Sequence, residues 1–169
     1  MKTANCGYDY RHPNGFRINR PNGSGDYILL IVRSPASFEF EGIKYFTSGN
    51  AVVIFNKGTP QIYGSNNTEY INDWIHFECD ENDIKFLTEL GIEFDKILEF
   101  QNVSMLSNLI KQMYFEKYSN NKNSNQSVEM YFNLIMLKIS DLCQQRKVVD
   151  TEMQEQLVEL KNQIVSNPK

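Results

Sequence analysis

The hydrophobic pattern of this chain changes its period once. Between residues 16 and 77 the apolar residues form short stretches separated by glycine, proline and asparagine, and from about Asp83 to Val165 they recur every three or four residues. Short extended runs are typical of strands, and a spacing of three to four is typical of helices. The pattern predicts a β half over residues 1–80 and a helical half over residues 81–169.

The β half contains short strands joined by turn residues. We predict strands at 16–20, 27–32, 38–40, 43–45, 51–55, 61–63 and 70–77. The run Tyr27–Val32 is apolar on both faces, which indicates a central strand. Glu41-Gly42 suits a two-residue hairpin, because glycine accepts a positive φ. Many short strands with such turns favour a small barrel or jelly roll, and the fold class expected is mainly β plus α.

The helical half divides into four predicted helices. Residues 80–83 supply N-cap oxygens for a first helix that ends near Gly91, and a second helix begins at Ser104. Residues 119–127 contain no hydrophobic side chain and predict a loop. A third helix should bury Tyr131, Leu134, Ile135, Ile139 and Leu142. A fourth, capped at Asp150/Thr151, carries a heptad-like seam of Met153, Leu157, Leu160 and Ile164, which could pack on its own domain or on a second copy.

Composition excludes several classes of protein. The chain has 17 basic and 21 acidic residues, a formal charge of -4 and no basic face, so direct nucleic-acid binding is not expected. The longest apolar run, Tyr27–Val32, is too short to span a membrane, and residues 1–12 do not resemble a signal peptide. Three widely spaced cysteines indicate free thiols in a reducing compartment. We therefore expect a cytoplasmic protein.

Catalytic motifs are missing from the sequence. There are only two histidines, His12 and His76, and Gln61 follows the turn Gly58-Thr59-Pro60 where a metal ligand would be useful. Nucleophile elbows, phosphate loops and dinucleotide-binding turns are also missing. We expect neither a metal or other cofactor nor an enzyme.

Polar and aromatic residues share strand faces, and these are the candidate ligand-binding residues. Alternation places Arg20 at the end of an apolar row with Phe16 and Ile18. It also groups Gln61 with Tyr63, and Tyr70 with Asn72, Trp74 and His76. An aromatic ring can hold the C–H face of a sugar while amide, phenol and guanidinium groups bind its hydroxyls. The plainer alternatives are a rim arginine paired with an acid for Arg20, a core aromatic for Trp74 and a structural histidine for His76.

Four short motifs resemble the N-terminal cupin-type sensor and dimerisation domain of AraC-type (arabinose-regulator) bacterial transcription factors. They are Ile18-Asn19-Arg20-Pro21, Asp26-Tyr27-Ile28-Leu29, Gly58-Thr59-Pro60-Gln61-Ile62-Tyr63-Gly64 and Asn72-Asp73-Trp74-Ile75-His76-Phe77. The resemblance covers essentially all 169 residues. It implies a jelly-roll barrel that binds a small-molecule effector, often a carbohydrate, a helical pair that forms a homodimer, and a C-terminal DNA-binding domain outside this sequence.

By position, the resemblance implies effector contacts at Arg20, Tyr63, Asn72 and Trp74. Asn72 stands where the arabinose regulator has histidine, so the hydrogen bonding to the effector should differ. Cys6 or Tyr8 falls near the family's N-terminal arm, which can cover the occupied pocket. Two other functions stay open: a constitutive dimerisation module whose barrel is filled by its own side chains, and a cupin enzyme such as a sugar isomerase.

Overall fold

The computed structural model describes the backbone of residues 1–166, and the side chains of these residues except Ala4, Val148, Val149, Thr151 and residues 162–166. The strands are Lys2–His12 (β1), Arg17–Arg20 (β2), Tyr27–Val32 (β3), Ala36–Phe40 (β4), Ile43–Thr47 (β5), Ala51–Phe55 (β6), Gln61–Ser65 (β7), Tyr70–Glu78 (β8) and Ile97–Glu99 (β9). The helices are Glu81–Glu89 (α1), Ser104–Lys117 (α2) and Ser124–Ser166 (α3).

Two antiparallel sheets form a jelly-roll barrel. One sheet has the order β1-β8-β3-β6-β9 and the other β2-β7-β4-β5. Neighbours within each sheet are mostly distant in sequence, which is the pattern of a double-stranded β barrel and not of a simple meander. The predicted fold class, mainly β plus α with a cupin-type barrel followed by helices, is confirmed.

The first sheet is buried on both faces. On β3, Ile28 and Leu30 belong to the cluster between the two sheets, while Leu29 and Ile31 belong to a second cluster with the helices. This confirms that the apolar run Tyr27–Val32 is a central strand. Leu106 and Ile110 of α2 and Phe132 and Ile139 of α3 pack in the second cluster. The barrel and the helices are therefore joined through this one sheet.

The predicted hairpin is also confirmed. Glu41 and Gly42 link β4 to β5, with φ angles of 52° and 77°. Two consecutive positive φ values match the twist of the flanking strands, and glycine adopts this conformation without steric penalty. The Asp80 prediction is confirmed as well: its side chain accepts a hydrogen bond from the N–H of Asp83, and the Asp83 carboxylate accepts one from the N–H of Asp80.

Two strands are absent from the sequence prediction. β1 has a mixed sequence, KTANCGYDYRH, and its pairing with β8 is interrupted twice, so it shows no regular alternation. β9 is only three residues long and pairs with β6. Both strands lie at edges of the first sheet, where a weak intrinsic preference suffices because a formed strand supplies the hydrogen-bonding partner.

The predicted third and fourth helices are wrong as separate elements, because α3 is continuous from Ser124 to Ser166. The sequence between them contains neither glycine nor proline, so nothing interrupts the helix at Asp150/Thr151. The predicted loop 119–127 is shortened, since the helix begins at Ser124. The buried face is also slightly rotated: Phe132 and Met136 are buried and Leu134 is exposed.

The second half of α3 carries its apolar seam on the outside. Met153, Leu157 and Leu160 are 57%, 57% and 56% exposed. Packing of this seam on the domain's own core is therefore excluded for these three residues, while Ile164 lies outside the described side chains. Of the helices described, none has the length and apolar character needed to cross a membrane.

Candidate functional site in the barrel

Strand β8 presents the predicted polar face to the interior of the barrel. Tyr70 and Trp74 belong to the cluster between the sheets, whereas Ile75 and Phe77 belong to the helical cluster. Asn72 is opposite Val32 of β3, another residue of the inner cluster, and is 4% exposed. Alternation along β8 therefore holds as the sequence predicted.

Tyr63 of β7 lies in the middle of the interior and is 5% exposed. Its ring centroid is 5.8 Å from Phe55, 6.0 Å from Phe38 and 6.1 Å from Tyr70. Burial raises the pKa of the Tyr63 phenol, and the nearby Arg20 acts in the opposite direction. The phenol is neutral at physiological pH and can donate a hydrogen bond.

A chain of hydrogen bonds closes one end of the barrel. Arg20 Nη1 donates to Gln61 Oε1 at 3.2 Å, and Gln61 Nε2 donates to Ser24 Oγ at 3.0 Å. Beside them the carboxylate of Asp26 accepts from His76 Nδ1 at 2.9 Å. The described hydrogen-bond partner of Arg20 is the neutral amide of Gln61, and not the acid that the plainer alternative supposed. We call this end of the barrel, formed by Arg20, Ser24, Asp26, Gln61 and His76, the mouth.

The contacts of His76 match the structural alternative for this residue, while its prediction as a ligand contact stays a prediction. Its ring is fixed by Asp26 and meets the edge of Trp74 with centroids 5.3 Å apart. The contact with Asp26 joins β8 to the loop between β2 and β3. His76 therefore holds the mouth together and orients Trp74.

Strand β1 forms a wall of the site that the sequence prediction lacked. Tyr10 lies 5.4 Å from Trp74, and His12 stacks on Phe16 at 3.8 Å between centroids. Gly7 passes directly against the indole of Trp74. The signal available in the sequence was the aromatic character of residues 8–12, which the irregular pairing of β1 obscured.

On the inner face of β8, two buried polar atoms have no hydrogen-bond partner among the described residues. They are Oη of Tyr70 and Oδ1 of Asn72. Tyr70 is fully buried, and this burial raises the pKa of its phenol well above the ordinary value. Nearly all buried polar groups in proteins are paired, so two unpaired atoms two residues apart on one strand face indicate a place for an additional partner.

The outer face of β8 meets the irregular part of β1. Asp73 Oδ1 accepts from the N–H of Asp9 at 2.7 Å and from Arg33 Nη2 at 3.4 Å. Arg33 also donates to the carboxylate of Asp9, and its guanidinium lies 5.8 Å from the ring of Tyr8. Because Asp73 and Trp74 are adjacent, β1 contacts both faces of β8 within a few residues.

The pKa values of the buried Asp73 and the partly exposed Asp9 shift in opposite directions. Burial raises the pKa of Asp73, although Ser107 of α2, the Asp9 N–H and Arg33 partly offset it. Hydrogen bonding to Arg11 and to Arg33 lowers the pKa of Asp9.

A surface cleft of about 590 Å³ lies outside the barrel, beside the hairpin of β4 and β5. Its lining includes Phe40, Tyr45 and Asp95. The Asp95 carboxylate accepts from the Asn56 N–H at 2.9 Å and from Thr59 Oγ1 at 3.0 Å, so it fixes the turn before β7. We assign this cleft no role in the candidate site.

Metal-binding side chains do not cluster in the part of the chain that the structure describes: no group of three or more histidine, cysteine, aspartate or glutamate residues is found there. The expectation of no cofactor stays a prediction.

Comparison with known proteins gives structural likeness alone. No protein-family profile and no curated protein matches this chain. ToxT from Vibrio cholerae is 12% identical, with 79% of this chain and 54% of that chain covered and a TM-score of 0.47. ToxT from Vibrio cholerae O395 bound to (E)-4-(8-methylnaphthalen-1-yl)but-3-enoic acid is 13% identical, with coverages of 82% and 58% and a TM-score of 0.48.

A Cupin 2 conserved barrel domain protein from Salinispora arenicola is 15% identical, with 47% of this chain and 66% of that chain covered and a TM-score of 0.36. This chain thus spans little more than half of the two ToxT chains. The jelly-roll assignment stands on the strand order of this chain itself.

Proposed function

We propose that this chain is the ligand-sensing and dimerisation domain of an AraC-type transcription regulator, and that it responds to a sugar or a related small metabolite. The effector would bind between the two sheets, and DNA would be bound by a separate C-terminal domain. The chain itself performs no catalysis in this proposal.

The observation that carries the proposal is the unpaired Tyr70 Oη and Asn72 Oδ1 inside the barrel. Leaving a buried polar group unpaired costs about 1–3 kcal/mol, which a bound hydroxylated molecule would recover. Trp74 lies on the same strand face as these two residues, and Tyr63 projects from the opposite sheet into the same cluster, so the two rings can cover the apolar side of such a molecule. This combination of apolar lining and a few polar groups is typical of ligand sites.

The mouth adds a cation to this site. Arg20 is half-buried and bonded to the neutral Gln61, so its charge is not neutralised by that partner. A guanidinium can donate several hydrogen bonds in fixed directions to hydroxyl or carboxylate oxygens. Arg20 and Gln61 are therefore proposed as effector contacts, together with Tyr63, Asn72 and Trp74, while His76 supports them.

The exposed seam of α3 supports the homodimer. Upstream of Met153 the 4-3 spacing passes Asp150 and Arg146, which form an ion pair on the helix surface, and then reaches Cys143, Ile139 and Met136, which are buried against the domain's own core. The positions beside the seam are mainly glutamine, including Gln154 and Gln156, so two copies can approach without like-charge repulsion. We propose that a second copy of this chain covers the seam.

Fluorescence of Trp74, the single tryptophan, tests the sensor function. The protein is titrated with neutral mono- and disaccharides and with sugar acids, and each hit is repeated with Arg20→Ala. The matched control is Arg17→Ala, because Arg17 lies on the same strand but bonds to Ser37 and Glu39. A saturable change that Arg20→Ala abolishes and Arg17→Ala retains supports the proposal, and a signal equal in all three proteins contradicts it.

The alternative function is a constitutive dimerisation module with a filled barrel. The stacking of Tyr63 on Phe55 and Tyr70 favours this alternative, because these rings occupy much of the interior. It predicts no response to any member of the panel, together with blue Trp74 emission that external quenchers do not reduce.

A further inference from the structure

The barrel has two chemically different ends. Asn72 is level with Val32 and Ala51, whereas His76 is level with Ile28 and Phe55. Four residues along β8 separate these levels, which corresponds to about 13 Å. The mouth therefore lies at one end, and the unpaired atoms of Tyr70 and Asn72 lie at the other, which we call the deep end.

The deep end is lined by small and uncharged side chains. Ala36 and Ala51 are fully buried there, at the ends of the strands that carry Phe40 and Phe55 nearer the mouth. Thr47 is opposite Ala36 and therefore points to the same face. Thr47 is 4% exposed, and its Oγ1 also lacks a partner among the described residues.

These atoms define what the deep end can bind. Asn72 Oδ1 accepts hydrogen bonds, while the hydroxyls of Tyr70 and Thr47 both donate and accept. The nearest charged residues are Asp73, the neighbour of Asn72 on β8, and Arg33, which follows β3. Both form hydrogen bonds with Asp9 on the outer face of the sheet, away from the deep end. A carboxylate placed at the deep end would thus lie buried beside neutral groups, which is costly, whereas a hydroxyl would satisfy them.

The mouth has the opposite preference. Arg20 brings a positive charge whose described hydrogen-bond partner is an amide, and the Asp26 carboxylate is engaged by His76. An anionic group at the mouth can pair with Arg20 in a partly desolvated place, where a charge-assisted hydrogen bond is about twice as strong as a neutral one.

We infer that the barrel binds a sugar acid in one orientation, with its carboxylate at Arg20 and its terminal hydroxyl at Tyr70, Asn72 and Thr47. This inference rests on the proposed sensor function and specifies its ligand class. It adds Tyr70 and Thr47 to the binding residues. It also requires that removal of the Tyr70 hydroxyl lowers the affinity for the ligand without lowering the stability of the ligand-free protein.

The test compares Tyr70→Phe with Tyr45→Phe, a control on the exposed strand β5. Binding is followed by Trp74 fluorescence with D-galactonate, lactobionate, D-galactose and hexanoate, and thermal unfolding is measured without additives. D-galactonate and lactobionate cover two lengths of sugar acid, D-galactose lacks the carboxylate, and hexanoate lacks the hydroxyls. We expect a sugar acid to bind best, with at least a tenfold loss of affinity in Tyr70→Phe and none in Tyr45→Phe.

The unfolding midpoint of Tyr70→Phe should equal or exceed that of the unchanged protein, because an unpaired buried hydroxyl is removed. A lower midpoint would mean that the hydroxyl has an internal partner, and it would overturn the inference. If D-galactose or hexanoate bound more tightly than both sugar acids, the proposed orientation would be wrong and the sensor function would still stand. The same would follow if Tyr70→Phe did not change the affinity. Silence with all four compounds and with the wider saccharide panel would overturn both.

Discussion

Gly7 and Trp74 are in contact across the pairing of β1 with β8. A Cβ added at Gly7 would lie 2.4 Å from both Cε2 and Nε1 of the indole. Side-chain atoms cannot approach so closely, so β1 can pair in this position only because residue 7 has no side chain. The first strand and the candidate site are therefore sterically coupled at this one position.

Gly7→Ala should displace either β1 or the indole. Inserting one methyl group into a packed contact typically costs about 1–3 kcal/mol. We expect a loss of that size in denaturant unfolding, together with a shift in the Trp74 emission maximum. Lys2→Ala, on the same strand but exposed, is the control. An unchanged emission maximum in Gly7→Ala would contradict the contact.

Asp73 should make the protein less stable as the pH rises above the ordinary range of an aspartate. Burial raises the pKa of Asp73 in the folded state above its unfolded value. The folded state therefore binds more protons, and the free energy of unfolding falls as the pH rises from about 3.9 through the raised pKa. Asp9 acts in the opposite direction and at lower pH, because its folded pKa is lowered.

Denaturant unfolding of the unchanged protein and of Asp73→Asn from pH 3 to 7 measures this contribution. As the pH rises above about 4, the unchanged protein should lose stability relative to Asp73→Asn, because only the unchanged protein has the titrating carboxyl group. Asp141→Asn is the control, since Asp141 is exposed on α3. Parallel curves for Asp73→Asn and the unchanged protein would show that Asp73 titrates normally.

The buried Cys6 and the partly buried Cys79 should react slowly with alkylating reagents. Burial raises the pKa of Cys6 from 9.0 to about 11 and that of Cys79 to about 12. Two pKa units reduce the thiolate fraction of Cys6 at neutral pH about 100-fold, and the thiolate is the reactive form. Iodoacetamide labelling with peptide mass spectrometry at pH 7.5 should show slow modification of both residues, and the unfolded chain is the fast control. Native Cys6 labelled at the unfolded rate would contradict the burial.

The seam of α3 should control the oligomeric state. Leu157→Asp places a charge at the centre of the exposed apolar stripe, where the second copy is proposed to pack. We expect the variant to sediment as a monomer at concentrations where the unchanged protein is a dimer, with the same thermal unfolding of the barrel. Glu155→Ala, away from the seam on the same helix, should leave the dimer intact. A monomeric unchanged protein would disprove the homodimer.

The sequence predicts best those elements whose residues repeat regularly. Period-two alternation correctly separates Trp74 from Ile75, and the capping pattern correctly places the N-cap of α1 at Asp80. It fails for β1, because this strand takes its conformation from pairing with β8 and not from its own pattern. It also divides α3 at Asp150, since a residue suited to an N-cap is equally acceptable on the exposed face of a longer helix.

The candidate site is only partly visible in the sequence. Alternation gathers Asn72, Trp74 and His76 correctly, but the bond between Arg20 and Gln61 joins two strands that are 41 positions apart. This contact forms because β2 and β7 are neighbours in the second sheet. The hydrophobic pattern within a strand does not specify which strand will be its neighbour. The unpaired state of Tyr70 likewise depends on every side chain around it.

In the proposed sensor, the alternation along β8 would limit how ligand binding is transmitted out of the barrel. Sliding this strand by one residue would place Asp73 in the interior and Trp74 among the helices, which exchanges the contents of two packed layers. A slip of one residue along the strand is therefore strongly disfavoured. Because Ser107 of α2 hydrogen-bonds to Asp73, which is adjacent to Trp74 on the opposite face of β8, a rigid-body tilt of this sheet is the kind of movement that would carry a change at Trp74 to α2.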